Sequence, residues 1–238
     1  MTRIPKSFLW TLALLAAVLA LGVLLDLGYR HYLEQTAEAL LADVKALGIG
    51  QSDFNDAMRI ARKYQRFRVE GNASVPASPD PAENVFPANT CTSERCFFEL
   101  IIDNRPLSTL HLAHGASFTA AFAVLHGRVQ YADVHLVGGP DPGVNGGIVE
   151  EINSSDDQQP TYGFRTPIGK PYLRVILMPS APTAVRDRAF ALNMNCLVTS
   201  TNCDKPCDYL PLAWGDWKTE MERHGWLDSL RTTYPKCP

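Results

Sequence analysis

Asp133, His135 and Tyr131 are the residues whose types and spacing come nearest to chemistry. They alternate through RVQYADVHLV (128–137), and on a β-strand residues two apart share a face. A carboxylate beside an imidazole is the raw material of general acid–base work. A nucleophile is missing. The chain has no Gly-x-Ser-x-Gly, no His-Glu-x-x-His, no Gly-x-x-x-x-Gly-Lys-Ser/Thr and no dinucleotide fingerprint. The plainer reading of Asp133 and His135 is therefore a solvated strand face. Its alternative is an envelope hydrolase using both with an unidentified nucleophile or metal. His111 and His114 are three apart, which sets them on opposite faces of a strand and makes them poor co-ligands.

Cysteine gives the second chemical signal: Cys91, Cys96, Cys196, Cys203, Cys207 and Cys237. An even set confined to one part of the chain favours disulfides and an oxidising compartment. Fifteen pairings exist, and spacing does not choose among them. Short loops first give Cys91–Cys96, Cys196–Cys203 and Cys207–Cys237. Structural zinc is the rival, but it favours cysteines two to four apart, which only Cys203/Cys207 and Cys91/Cys96 approach. Neither metal nor cofactor is expected.

The third signal is cationic. Arg59, Arg62, Lys63 and Arg66 recur at i, i+3, i+4 and i+7, with Arg68 following. On a helix they form one stripe, ordinarily a solvated face. Beside a membrane such a stripe meets anionic headgroups, on the order of 1 kcal/mol per cation close to the surface. It would equally hold an acidic envelope partner.

The first stretch of the chain decides which setting applies. FLWTLALLAAVLALGVLL (8–25) carries no charge, and Thr11 is its clearest polar residue. Eighteen apolar residues lie within the range that crosses a bilayer. Trp10 and Tyr29 would stand about 28 Å apart along a helix, one at each interface. The small pair Ala20 and Gly22 lies inside the apolar run, unlike a signal-peptide cleavage site in a polar flank. Arg3 and Lys6 precede the span and only Arg30 follows closely, which places the N-terminus in the cytoplasm and the cysteines outside.

Beyond the span, Leu33, Ala37, Leu40, Leu41, Val44 and Leu47 keep helical spacing up to a cap at Gly48. Ser52 reads as the N-cap of a second helix burying Phe54, Ala57, Met58, Ala61 and Tyr64. Residues 71–90 hold four prolines and read as a linker or extended loop. Strand patterns follow at 96–102, 108–114, 117–125, 128–137, 172–179 and 189–198. His126-Gly127 reads as a tight hairpin that would set Val124 opposite Val129, Phe122 opposite Tyr131, Ala120 opposite Asp133 and Phe118 opposite His135. Between 138 and 171, seven glycines, five prolines and the acids Asp141, Glu150, Glu151, Asp156 and Asp157 read as a mobile loop; no EF-hand spacing is present. Asp216 reads as the cap of a short C-terminal helix, with Trp214, Trp217 and Trp226 plugging the end of the sheet.

The fold class is thus α+β: a single transmembrane helix, a short helical region, then an antiparallel sheet of five or six strands with a short C-terminal helix. Residues 1–28 form a cytoplasmic stub and anchor, 29–70 a juxtamembrane helical region, 71–90 the linker, and 91–238 an extracytoplasmic disulfide-stabilised domain. A net charge of −3 gives no basic field for nucleic acid. The expectation is a single-pass membrane protein serving as a binding or structural module of the cell envelope. Its partners are the membrane through residues 8–25 and an anionic lipid or envelope component, with oligomeric state left open.

Overall fold

The computed structural model describes residues 6–69, 73–74, 85–86, 91–139, 145–153, 161–165, 172–199, 201, 203–223 and 237. Helix α1 (Lys6–Lys45) is one uninterrupted rod of 40 residues, about 60 Å long. Gly28 does not break it, since the glycine faces open space and the surrounding residues are good helix formers. The first half is apolar all round, and its described side chains from Phe8 to Leu25 are exposed. It is the one described helix long and apolar enough to cross a membrane. The second half behaves oppositely: Leu33, Ala37, Leu40 and Val44 are buried in the domain core, as is Leu47 just past the helix end. Their alternating spacing of four and three draws a stripe down one side, and that stripe is the contact with the sheet.

Helix α2 (Phe54–Lys63) starts at Asp53, one residue later than the sequence suggests. Asp53 Oδ1 accepts from the Asn55 and Asp56 amides, and Asp56 returns a bond to the Asp53 amide, a capping box. Ser52 instead accepts from the Gly48 amide and closes the turn between the helices. Ala57, Ile60, Ala61 and Tyr64 are buried beneath it.

A mixed six-stranded sheet follows: β4 (Arg95–Asp103), β5 (Ala116–Leu125), β6 (Arg128–Gly138), β7 (Asn145–Ile152), β8 (Thr161–Arg165) and β9 (Tyr172–Leu177), in the order β4-β5-β6-β7-β9-β8. The two-residue β1 (Arg68–Val69) lengthens one edge, and β2 (Ala73–Ser74) and β3 (Val85–Phe86) pair separately. All neighbours run antiparallel except β7 and β9. One face carries Phe98, Leu100, Phe118, Phe122, Val134, Leu136, Val175 and Leu177 and joins α1 and α2 in a single core.

Three sequence expectations fail here for physical reasons. Residues 108–114 are not a strand, because Pro106 sits in the first turn of a short helix, α3 (Arg105–Thr109), and His111 then takes a left-handed φ of 55°. Residues 189–198 are not a strand either: they hold the end of α4 (Thr183–Ala189) and a 3-10 turn, Met194–Leu197. Conversely, the stretch read as a mobile loop supplies β7, which lies inside the sheet with Glu150 and Glu151 buried. Each glutamate has an arginine partner, Arg174 and Arg186 respectively, which is what makes burial of a carboxylate tolerable.

The C-terminal part closes the core. Helix α5 (Pro206–Tyr209) packs on β7 and β9, and α6 (Pro211–Arg223) follows at once. Asp216 is inside α6, not at its cap, because the helix starts five residues earlier and Arg188 takes the carboxylate. Trp214 and Trp217 are buried against each other, ring centroids 4.6 Å apart; Trp226 lies outside the described residues. All six cysteines pair as Cys91–Cys96, Cys196–Cys203 and Cys207–Cys237.

Candidate functional site

The turn His126-Gly127 is built as expected, with left-handed φ of 53° and 73°, the geometry of a two-residue hairpin. Val124 faces Val129 across it, but the ladder then slips: Ala123 faces Tyr131, Ala121 faces Asp133 and Thr119 faces His135. Gln130 is the extra residue of a β-bulge. A one-residue shift exchanges the two faces of a strand. Without it, Tyr131, Asp133 and His135 would point at Phe118 and Phe122 in the main core. With it, they occupy the opposite face of the sheet, and the apolar Ala132, Val134 and Leu136 take the core side.

On that second face the ladders set Glu99, Ala121, Asp133 and Glu150 in one row across four strands. The neighbouring row is Ile101, Thr119, His135, Ile148 and Arg174. Asp133 Oδ2 is in ion-pair contact with His135 Nε2. Both oxygens of Glu150 accept from Arg174, Oε1 from Nε at 2.9 Å and Oε2 from Nη2 at 2.5 Å. Two ion pairs therefore lie side by side, and with His135 protonated the four groups sum to zero charge. Asp133 and Glu150 are 5% and 6% exposed, so neutrality matters: an unpaired charge at that depth costs several kcal/mol. Asp133 Oδ1 has no hydrogen-bond partner among the described residues.

Titration follows from this arrangement. Burial alone would lower the His135 pKa, but contact with Asp133 and the charges of Glu150 and Glu99 outweigh it, and the imidazolium is favoured. Tyr131 holds its phenolic proton far more tightly than usual, first because it is buried and then because Asp133 and Glu150 are negative. Arg174 is raised by its bond to Glu150. The neighbouring carboxylates thus favour the protonated imidazole and keep the Tyr131 phenol neutral.

Ligand atoms of Asp133, His135 and Glu150 lie within 4.8 Å of one another, a separation one divalent ion can bridge. The fit is poor: Arg174 holds both Glu150 oxygens, and a metal at Glu150 would meet a guanidinium in direct contact with its ligand. We assign no metal to these residues.

The cationic stripe divides. Lys63 pairs with Asp43 at 2.6 Å and Arg59 with Asp56 at 3.3 Å. Arg66 lies over the rings of Tyr32 and Phe67, 5.1 and 4.6 Å from their centroids. Arg62 is exposed and has no ion-pair partner among the described residues. Helix α2 therefore runs back along α1, with Arg66 level with Tyr32 and Lys63 level with Asp43.

The strand period put Asp133 and His135 on one face, and short loops gave the three disulfides, but the approach of Glu150 and Arg174 to that pair was missed. Arg174 inside the apolar run YLRVIL carried the signal, because a lone cation within a strand implies a buried acid across the sheet. Comparison with protein-family models, curated proteins and solved structures returns no match.

Proposed function

We propose that the chain is a single-pass membrane protein whose disulfide-bonded α+β domain stands outside the cytosol and serves as a binding module of the cell envelope. One observation carries this reading: α1 is exposed and apolar over its first half and core-packed over its second, without a break. A soluble protein would pay a large hydrophobic penalty for exposing such a surface, whereas lipid imposes none. The three disulfides support an oxidising side.

Distance sorts the contacts of the cationic stripe. Tyr32 stands seven residues past Leu25, so Arg66 lies about 10 Å above the hydrocarbon edge. Asp43 is eighteen residues past it, which sets Lys63 about 27 Å away. The Debye length is about 8 Å in physiological salt. Arg66 thus reaches anionic headgroups, while Arg59 and Arg62 face an acidic protein or polymer.

The test has two arms. Asn55 is exposed beyond the level of Asp43, and Asn55→Cys in intact cells should react with a membrane-impermeant maleimide, while the native cysteines stay blocked as disulfides. Labelling only after permeabilisation, or six free thiols in freshly lysed cells, ends the reading. A photo-crosslinker at Arg62 should give an adduct of defined mass that is lost with Arg59→Glu. An adduct unaffected by charge reversal removes the stripe.

A second reading, an envelope hydrolase, has one observation in its favour: Thr119, a hydroxyl residue, pairs with His135 across β5 and β6, and His135 contacts Asp133. Turnover of p-nitrophenyl ester or phosphoester, lost in both His135→Gln and Thr119→Val, would establish it. Equal turnover by wild type and variants would dismiss it.

A further inference from the structure

We infer that the loop after α3 is a second membrane contact, dipping Leu110 and Leu112 into the headgroup layer beside the anchor helix. This rests on the anchoring reading above. Leu110 is 66% exposed, and outside α1 it is the most exposed large apolar residue among those described; Leu112 is 41% exposed.

Their height is fixed by Arg30. Its Nε is bonded to Asp26 Oδ2 at 2.8 Å, so the guanidinium folds back one turn towards the N-terminus and lies level with residues 26–30. From there Nη2 donates to the Leu112 carbonyl at 2.8 Å, and Nη1 donates to the Val198 carbonyl. Asp26 directly follows the apolar stretch ending at Leu25. The Leu112 backbone is therefore within about 8 Å of the hydrocarbon edge, the depth of the headgroups.

The base of the loop is rigid. Asn104 is 1% exposed, donates from Nδ2 to the carbonyls of His114 and Leu197 at 2.7 Å each, and accepts from the Ala116 amide at 2.9 Å. Leu107 is buried beneath the loop, and the Leu112 amide donates to its carbonyl. Arg105, at the foot of the loop, is mostly exposed but is paired with Asp103 at 3.5 Å, so the apolar side chains and not a free cation carry the contact. The occupant we assign is thus the bilayer interface, continuous with the one α1 crosses.

Single cysteines at Val18, Leu110 and Asn55, in the full chain in phosphatidylcholine nanodiscs, carry a spin label, since the described native cysteines are all bonded. Collision with oxygen relative to a water-soluble nickel complex reads immersion. Val18 should be strongly oxygen-favoured, Leu110 several-fold more than Asn55, and Asn55 fully aqueous. If Val18 reads lipid and Leu110 matches Asn55, the loop contact is overturned and the anchor stands. If Val18 also reads water, both fail.

Discussion

Replacing Arg186 by methionine should loosen the domain at the point where the anchor helix meets it. Arg186 projects from α4 onto β7, where its Nε and Nη2 hold the two oxygens of Glu151, and Nη2 also donates to the Lys45 carbonyl at the end of α1. The Glu151 side chain is 7% exposed, so the substitution strands a carboxylate away from water and orphans a helix-terminal carbonyl. Breaking a buried pair from one side costs about 3–5 kcal/mol. For a domain of this size each kcal/mol moves Tm by roughly 2–4 °C, giving a fall of about 6–20 °C. Thermal unfolding of the full chain in detergent, followed by circular dichroism, measures it. Arg186→Met/Glu151→Leu should recover part of the loss, because the stranded charge is gone while the Lys45 carbonyl still lacks its donor. A loss under about 1 kcal/mol in the single variant, or a double variant no more stable than the single, would refute the argument that Arg186 neutralises Glu151.

Three further outcomes follow from the same chemistry. His135 has a raised pKa in the folded state, so its contribution to stability is full below the ordinary histidine value and fades as pH rises through the folded one; the Tm advantage of wild type over His135→Gln should shrink between pH 5.5 and 9, and a constant gap would contradict it. Cys207→Ser/Cys237→Ser opens a bridge across 30 residues and Cys91→Ser/Cys96→Ser one across 5, so loop entropy predicts losses of about 3.6 and about 2 kcal/mol, checked by urea titration of both. Deleting Gln130 removes the extra residue and leaves Tyr131 opposite Ala123 in a regular ladder, so Tyr131, Asp133 and His135 keep their face; near-ultraviolet dichroism should survive the deletion, and its loss would contradict the bulge.

How much of this was legible in the sequence varies with the range of the interaction. The anchor, the Leu33–Leu47 stripe and the hairpin at His126-Gly127 are local patterns, and periodicity or turn chemistry alone identifies them. The disulfide set was reachable because short loops close at least entropic cost. The register of β6 was not, since Gln130 in RVQYADV carries no mark of a bulge; only the competition of Tyr131 and Ala132 for the core decides it. Residues 145–152 were misread for a related reason. NGGIVEEI looks like a loop until Arg174 and Arg186, 24 and 35 residues later, are brought beside its glutamates. Its glycines also have a packing role: a Cβ on Gly147 would meet the Leu210 side chain at 2.4 Å and one on Gly146 the Leu136 carbonyl at 2.6 Å. In strand β7, glycine marks close approach to neighbouring chain, not flexibility.

On the single-pass reading proposed above, one helix obeys two solvents, and the change between them falls within two turns. Up to Leu25 the helix is apolar on every side, so a bilayer would fix its depth but not its rotation. From Leu33 onward one stripe is buried and the rotation is set by the sheet. Arg30 sits between, bonded upward to the domain through Leu112 and Val198 and downward to Asp26. A flexible tether would let the domain turn freely above the bilayer. A continuous helix would not, and the faces bearing Arg66 and Leu110 would keep a fixed aspect to the bilayer, because the backbone hydrogen bonds of α1 run unbroken from the apolar stretch into the core.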